Sequence, residues 1–519
     1  MESGGADLNS FEHVVVLMLE NRSFDNILSY LYRDGVPSGK RFEGAVGKEL
    51  SNPDISGNAI PASADAELNQ PYPDPGEEFH HVTMQLFSSP QAAGEPTMKG
   101  FVRDYYETLQ ALRRKVPPWP GSAAEQSLQI MRCFAPSSIP VLSSLATNFA
   151  VFDHWFCAVP SQTWCNRAFW HAATSWGWVN NPPMSTPGNP WGLDHWACSS
   201  AGRTLFNLLE EKFGKGSWCV YSDLVVPFTK LIHWGALKEK LGESFFRYLE
   251  GGSPFARNFF EDCAEGNLPK YSFLEPHFIN FLEDAPWHDD MHPSSFGSEI
   301  YSNGGPGTVL LGDRLIWKVY QAIRNSQSQK GSNWWNTLLI ITFDEHGGCF
   351  DHVPPPTAAS PDPVAFNTGT GEEGFDFKRL GVRVPMVMVS AHIASNTIVN
   401  SQMDHCSFLN TMQRKWNLQS LGARQDAARP FTEVFAASSR SLDTWPDFKT
   451  YPGEHVSLDF TKLPKIDLST IPLNVLQGSI LTAIRELYAQ DLPGQVLPFS
   501  ARDALELLDR AKYLRFPKI

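Results

Sequence analysis

Two short apolar runs, Val14 to Leu19 and Leu338 to Phe343, each drive straight into polar residues: Glu20 and Asn21 after the first, Asp344, Glu345 and His346 after the second. Neither approaches the roughly 20 residues that a membrane span requires, so both read as buried strands. Behind the first run, Phe24, Ile27, Leu28 and Leu31 recur at helical spacing, with Ser23 placed to cap the helix. Val384 to Ser390 reads as a further strand. Strands separated by helical segments specify an α/β sheet, and ligands of such sheets gather beyond the carboxyl ends of the strands. The polar clusters stand where that rule puts a site.

The chain has 519 residues, with 42 Lys plus Arg against 56 Asp plus Glu, for a net charge of −14. No basic run interrupts the acidic excess, which argues against a nucleic-acid partner. The 16 Trp and 35 Phe supply core and, beside Pro and Gly, walls for an apolar pocket. With no transmembrane run and no secretory signal in MESGGADLNSFEH, the expectation is a soluble protein, cytoplasmic as the chain stands, secreted or periplasmic if it is a processed form. Eight cysteines without a C-x-x-C pair argue against a thiolate zinc site, and leave free thiols and disulfides both open.

A long polar, Pro/Gly-rich stretch from 33 to 78 has no period and is expected to be an insertion near the site. Helices are predicted over 100–114 and 123–147, and in the tail over 473–489 and 501–514, the last capped by Ser500. The expected organisation is one catalytic domain over 1–519, with its core in about 11–415 and a mostly helical extension, 416–519, packed on it.

Glu20 and Asn21 with Asp344 and Glu345 form two oxygen-rich pairs, which parallel neighbouring strands would bring face to face. Hard oxygen donors suit a divalent cation, whereas a single such pair is more often a cap or an ion pair. His288, His292, His346, His352 and His405 lie in acidic clusters, where imidazoles ligate metal, bind a phosphoryl oxygen or move a proton. "VPSQTWCNR" (159–167) offers hydroxyls at Ser161 and Thr163 and a thiol at Cys165 before a helix; it suits either a nucleophile or a plain turn. No G-x-S-x-G and no P-loop occur, and "GTGEEG" at 369–374 follows no strand and would repel a pyrophosphate.

"ENRSFDN" (20–26) together with "TFDEHGGCFDHVPPP" (342–356) resembles the bacterial phospholipase C and acid phosphatase family of phosphoesterases, which includes the plant non-specific phospholipases C. "AVFDHWFCAVPSQTWCNR", "DDMHPSS" and "GVRVP" fit the same family, and the likeness spans roughly 11–415. The resemblance implies an alkaline phosphatase-like α/β/α sandwich with a mostly parallel sheet, long loop insertions, one divalent metal ion (Zn²⁺ or Ca²⁺) and a phosphothreonine intermediate. It implies Glu20, Asn21, Asp344 and Glu345 as metal ligands, Thr163 as nucleophile, His292 and His352 as catalytic histidines, and Asn166, His346 and His405 at the substrate. Cys165 stands where the family has proline before Asn-Arg, and the β domain of larger relatives is missing. The expected activity is phospholipase C-type hydrolysis of a glycerophospholipid with transient contact at a membrane surface; acid phosphatase and non-catalytic lipid- or metal-binding protein are the alternatives.

Overall fold

A computed structural model describes residues 8–113, 121–182, 192–251, 257–282, 285–293, 308–362, 371–453, 469, 473–492 and 500–512. The first apolar run forms β1 (His13–Leu19), buried from Val14 onward. Ser23 Oγ accepts the Asn26 N–H at 3.0 Å and starts α1 (Phe24–Leu28). This helix stops short of Leu31 because the Asn26 carbonyl, which would accept the N–H of residue 30, takes the Phe134 N–H instead at 2.8 Å.

The chain continues through α2 (Phe79–Phe87), α3 (Phe101–Arg113), α4 (Pro140–Asn148), β2 (Ala150–Phe152), α5 (Thr163–Ala172), α6 (Leu205–Phe213), β3 (Trp218–Tyr221) and β4 (Phe246–Arg247). There follow α7 (Phe259–Glu265), β5 (Tyr271–Leu274), α8 (Val309–Asn325), β6 (Thr337–Phe343), β7 (Met386–Val389), β8 (Thr397–Val399), α9 (His405–Trp416), α10 (Val475–Leu487) and α11 (Ala501–Ala511). The strands lie in the order β8-β2-β7-β6-β1-β5-β3-β4. Only β7 runs against its neighbours, so the sheet is the mostly parallel α/β sheet expected. One helical group, α4, α7 and α8, packs together against β2, β6 and β7; another, α5, α6 and α9, packs together with α6 against β3.

The register of the central pair places the site. His13 to Leu19 pair in parallel with Thr337 to Phe343, so both strands end level and Glu20 and Asp344 leave the sheet side by side.

The helix predicted over 123–147 is broken instead into Ala123–Ser127, two 3₁₀ turns and α4. Pro136 and Pro140 cannot donate the backbone hydrogen bonds that continuity requires and push their predecessors out of helical conformation. The tail helices form near the predicted positions, with Ser500 capping α11. Helix α10 lies over the central site: Trp164 Nε1 donates to Ser479 Oγ at 2.9 Å and Gln477 Nε2 to the Phe278 carbonyl at 2.9 Å. All eight cysteines are free thiols, and Cys165 faces the Asn180 carbonyl.

Candidate active site

The two strand ends are locked to each other. Asn21 adopts a left-handed conformation (φ 53°), and its N–H donates to Asp344 Oδ1 at 3.1 Å. Gly347, at φ 60°, packs so closely beneath this turn that a Cβ would lie 2.2 Å from the Asn21 carbonyl oxygen, which no side chain tolerates. The Glu20 N–H donates to the Asp290 carbonyl at 2.8 Å and so ties β1 to the segment carrying His292.

Thr163 is the first residue of α5, the helix end whose free N–H groups favour negative charge. Its Oγ1 lies 3.2 Å from Glu20 Oε2 and 3.3 Å from Asn21 Oδ1, and all three residues are fully buried. Arg167, one turn further, pairs with the Glu20 carboxylate, donates to the Met18 carbonyl at 3.0 Å and stands 3.7 Å from Asp344 Oδ2. Asn166 uses its amide on the loop itself: Nδ2 donates to the carbonyls of Val159, Ser161 and Gln162, and Oδ1 accepts the Val159 N–H. It holds the turn that presents Thr163.

Two acidic residues reach this centre from the long loop, and neither was foreseen. Glu77 accepts from Asn21 Nδ2 through Oε2 and from Gln162 Nε2 at 3.2 Å through Oε1, and its Oε2 is 3.7 Å from His292 Nε2. Asp74 Oδ1 is 3.6 Å from His292 Nδ1. The aperiodic stretch 33–78 pointed to the neighbourhood, but nothing in its pattern singles out these two positions.

Burial raises Glu20 well above the ordinary carboxylate range, with Arg167 opposing and Asp344 adding to the shift. Glu77 and Glu345 are raised by burial and then by neighbouring carboxylates, Asp74 for the first and Asp344 for the second. Such crowding of acids with little compensating charge calls for a proton or a cation.

The histidines divide. His346 Nε2 meets Gln85 Oε1 at 2.8 Å, Nδ1 lies 3.3 Å from Glu345 Oε2, and burial lowers the ring to about 3. His405 receives Trp155 Nε1–H on Nδ1 at 3.2 Å and donates Nε2–H to the Asp344 backbone carbonyl at 2.6 Å; burial lowers it to about 4. It steadies the Asp344 backbone. His352 stands apart, with polar partners Asp25 (2.6 Å), Glu43 (3.0 Å), Lys48 and Arg383, none of which belongs to the Thr163 group. Burial works against its charged form, but the Asp25 hydrogen bond and charge prevail and raise its pKa.

The strand-end carboxylates fit a hard cation: Asp344 Oδ2 and Glu345 Oε1 are buried without a hydrogen-bond partner. Among the described residues, however, ligand atoms of three His, Cys, Asp or Glu side chains come within 4.8 Å of one another only in Asp25–Asp351–His352 and Asp74–Glu77–His292. The first group already holds Arg383, whose Nη2 is 3.0 Å from Asp25 Oδ1 and whose Nε is 2.9 Å from Asp351 Oδ1.

A buried hydroxyl at a helix N-terminus, set among carboxylates at parallel strand ends, suits displacement at an ester. Residues 11–419 match the Phosphoesterase family. The chain is 34% identical over 435 residues to non-specific phospholipase C6 of Arabidopsis thaliana, covering 81% of this chain and 71% of that one. It is 28% identical to non-specific phospholipase C3 of the same plant, over 98% and 88% of the two chains, and 25% identical to phospholipase C A of Mycobacterium tuberculosis, over 79% and 74%. A solved protein of the alkaline phosphatase superfamily from Vibrio parahaemolyticus aligns with a TM-score of 0.32 at 14% identity, over 57% of this chain and 64% of that one. The chain belongs to the phosphoesterase family, and it is a phosphoric ester hydrolase.

Proposed function

We propose that the protein is a phospholipase C-type phosphodiesterase that cleaves glycerophospholipids to diacylglycerol and a phosphorylated head group through phosphothreonine at Thr163. The observation that carries this reading is Thr163 Oγ1 held at the strand ends by Glu20 and Asn21. Their oxygens accept the hydroxyl hydrogen, which leaves the lone pairs of Oγ1 for attack. The Oγ1–P bond forms as the bond from phosphorus to the diacylglycerol oxygen breaks, and that oxygen takes up a proton. Water then attacks phosphorus, the Oγ1–P bond breaks and the threonine regains its hydrogen. Burial lowers His292 to about 4 and keeps it neutral, and His352 is engaged by Asp25 and Glu43 away from Thr163, so the proton for the leaving oxygen comes from solvent unless substrate binding brings His352 within reach.

Glu20, Asn21, Asp344 and Glu345 would hold one divalent cation, Zn²⁺ or Ca²⁺, which when bound supplies charge to offset the phosphoryl oxygens. His346 and His405 support this end of the site through Glu345 and Asp344. The diester preference draws support from the names of the relatives and from a cavity of about 500 Å³ bounded by Met84, Ala111, Leu112, Leu473 and Val475, which shares Asp74 with the site. Apolar walls of this kind suit an acyl chain, and a phospholipid substrate brings transient contact with a bilayer surface.

The test compares turnover of p-nitrophenylphosphorylcholine with that of p-nitrophenyl phosphate, and identifies by mass the head group released from mixed phospholipids. Faster cleavage of the diester, a phosphorylated head group and acid-trapped phosphate on Thr163 are expected. Preference for the monoester with no release from lipid would make the protein a phosphatase instead.

A further inference from the structure

The geometry points to a second cation site, made by Asp74, Glu77 and His292, beside the strand-end centre and selective for a borderline divalent ion such as Zn²⁺. One ligand atom from each residue lies within 4.8 Å of the others. Two of the three residues, Glu77 and His292, are almost wholly buried. The argument turns on the tautomer of His292. Its Nδ1 lies 2.8 Å from the Pro293 carbonyl, an atom that only accepts, so Nδ1 carries the ring hydrogen and Nε2 presents a bare lone pair.

That lone pair has no hydrogen-bond partner and faces Glu77 Oε2 at 3.7 Å. A lone pair aimed at a carboxylate in a closed interior is repulsive, and the contact is too long for a shared proton. A cation between them turns the repulsion into two bonds. Asp74 Oδ1 is likewise buried without a hydrogen-bond partner and lies nearer the protonated Nδ1 edge of the ring, at 3.6 Å, which makes it the weakest of the three ligands. Arg22, whose charge opposes the raised Asp74, directs Nε to the Met291 carbonyl at 2.7 Å and Nη1 to the Gln70 carbonyl at 2.6 Å, while its Nη2 is buried without a hydrogen-bond partner.

One imidazole nitrogen and two carboxylates form the mixed donor set that favours zinc over calcium or magnesium, and three protein ligands leave a position open for substrate or water. The Pro293 carbonyl is the outer partner that orients such a histidine. Glu77 Oε2 also accepts from Asn21 Nδ2, so an ion here bears on the residue that holds the Thr163 hydroxyl. His292 is thereby assigned to holding a cation and not to giving a proton to the leaving group. The site rests on its own residues and would bind its ion whichever ester is cleaved.

The experiment is Zn²⁺ titration of the chelator-stripped full chain by calorimetry, with elemental analysis after gel filtration. Variants are Glu77→Gln, His292→Asn and Asp74→Asn, with Asp344→Asn for the strand-end centre. The stripped protein is also loaded with Co²⁺, whose visible absorption reports nitrogen ligation. Expected is one Zn²⁺ fewer per chain in Glu77→Gln and His292→Asn than in the wild type, with circular dichroism unchanged, weaker binding in Asp74→Asn, and loss of a Co²⁺ band in His292→Asn. Equal zinc content and an identical Co²⁺ spectrum in wild type, Glu77→Gln and His292→Asn would overturn the inference and leave the strand-end centre standing. Zinc lost in Glu77→Gln but unaffected in Asp344→Asn would uphold this site and remove the cation from the strand-end one.

Discussion

At the scale of one side chain, the proposed role of Thr163 rests on a hydroxyl that is fully buried, oriented by two oxygens and placed at a helix N-terminus. Thr163→Ala is expected to lower kcat on p-nitrophenylphosphorylcholine by ~10³-fold or more with little change in melting temperature, while Thr163→Ser keeps measurable turnover. Arg167 carries a different load. Removing it takes away the charge that opposes the raised Glu20 and leaves the buried acid cluster uncompensated, so Arg167→Leu should cost about 3–5 kcal/mol in urea unfolding, and adding Glu20→Gln should restore part of that loss. Single residues were also where the sequence was least complete. The strand-end carboxylates stand out because each pair interrupts an apolar run, whereas the pattern of 159–167 suits a plain turn equally well and only the family resemblance singles out Thr163 within it. Asp74 and Glu77 do not stand out, because they lie in a loop without periodicity and reach the site only through the folded path of the chain.

The elements that carry the site are joined by ion pairs as well as by packing. His277, just past β5, bridges Asp289 Oδ2 at 2.9 Å and Asp223 Oδ2 at 3.0 Å, linking the ends of β5 and β3 to the segment that leads to His292. Burial opposes its protonation, but Asp289 and Asp223 overcome this and raise it to about 10. The raised value belongs to the folded state, so the stabilisation is complete below the unfolded value near 6.5 and is lost as pH rises toward about 10. Chemical denaturation across that window should show the wild type losing stability more steeply than His277→Gln; parallel curves would refute the link. The central strands were readable from unbroken apolar runs, and the tail helices from their period. The 123–147 segment was misjudged because its apolar spacing persists across Pro136 and Pro140, which forbid the continuous hydrogen bonding that spacing alone suggests.

For the molecule as a whole, the central site is closed by chain from both ends. The loop ahead of α2 supplies Glu77, while α10, from the far end of the sequence, packs on Trp164 and brings Asn474 Nδ2 to 3.5 Å from His292 Nδ1. Ending the chain before residue 473 should therefore lower the melting temperature and sharply reduce turnover of even the small p-nitrophenyl substrate, because it uncovers Trp164 and the His292 wall together. Retention of full activity by the shortened chain would show that the tail only packs.

The close fit of Gly347 under the Asn21 carbonyl gives the two halves of the centre a shared hinge pin. A lone methyl there would act as a shim, prising the ends of β1 and β6 apart while leaving every reactive group chemically intact. Catalytic failure in this enzyme can thus arise from a spacing error of about a tenth of a nanometre, at a residue that carries no side chain of its own.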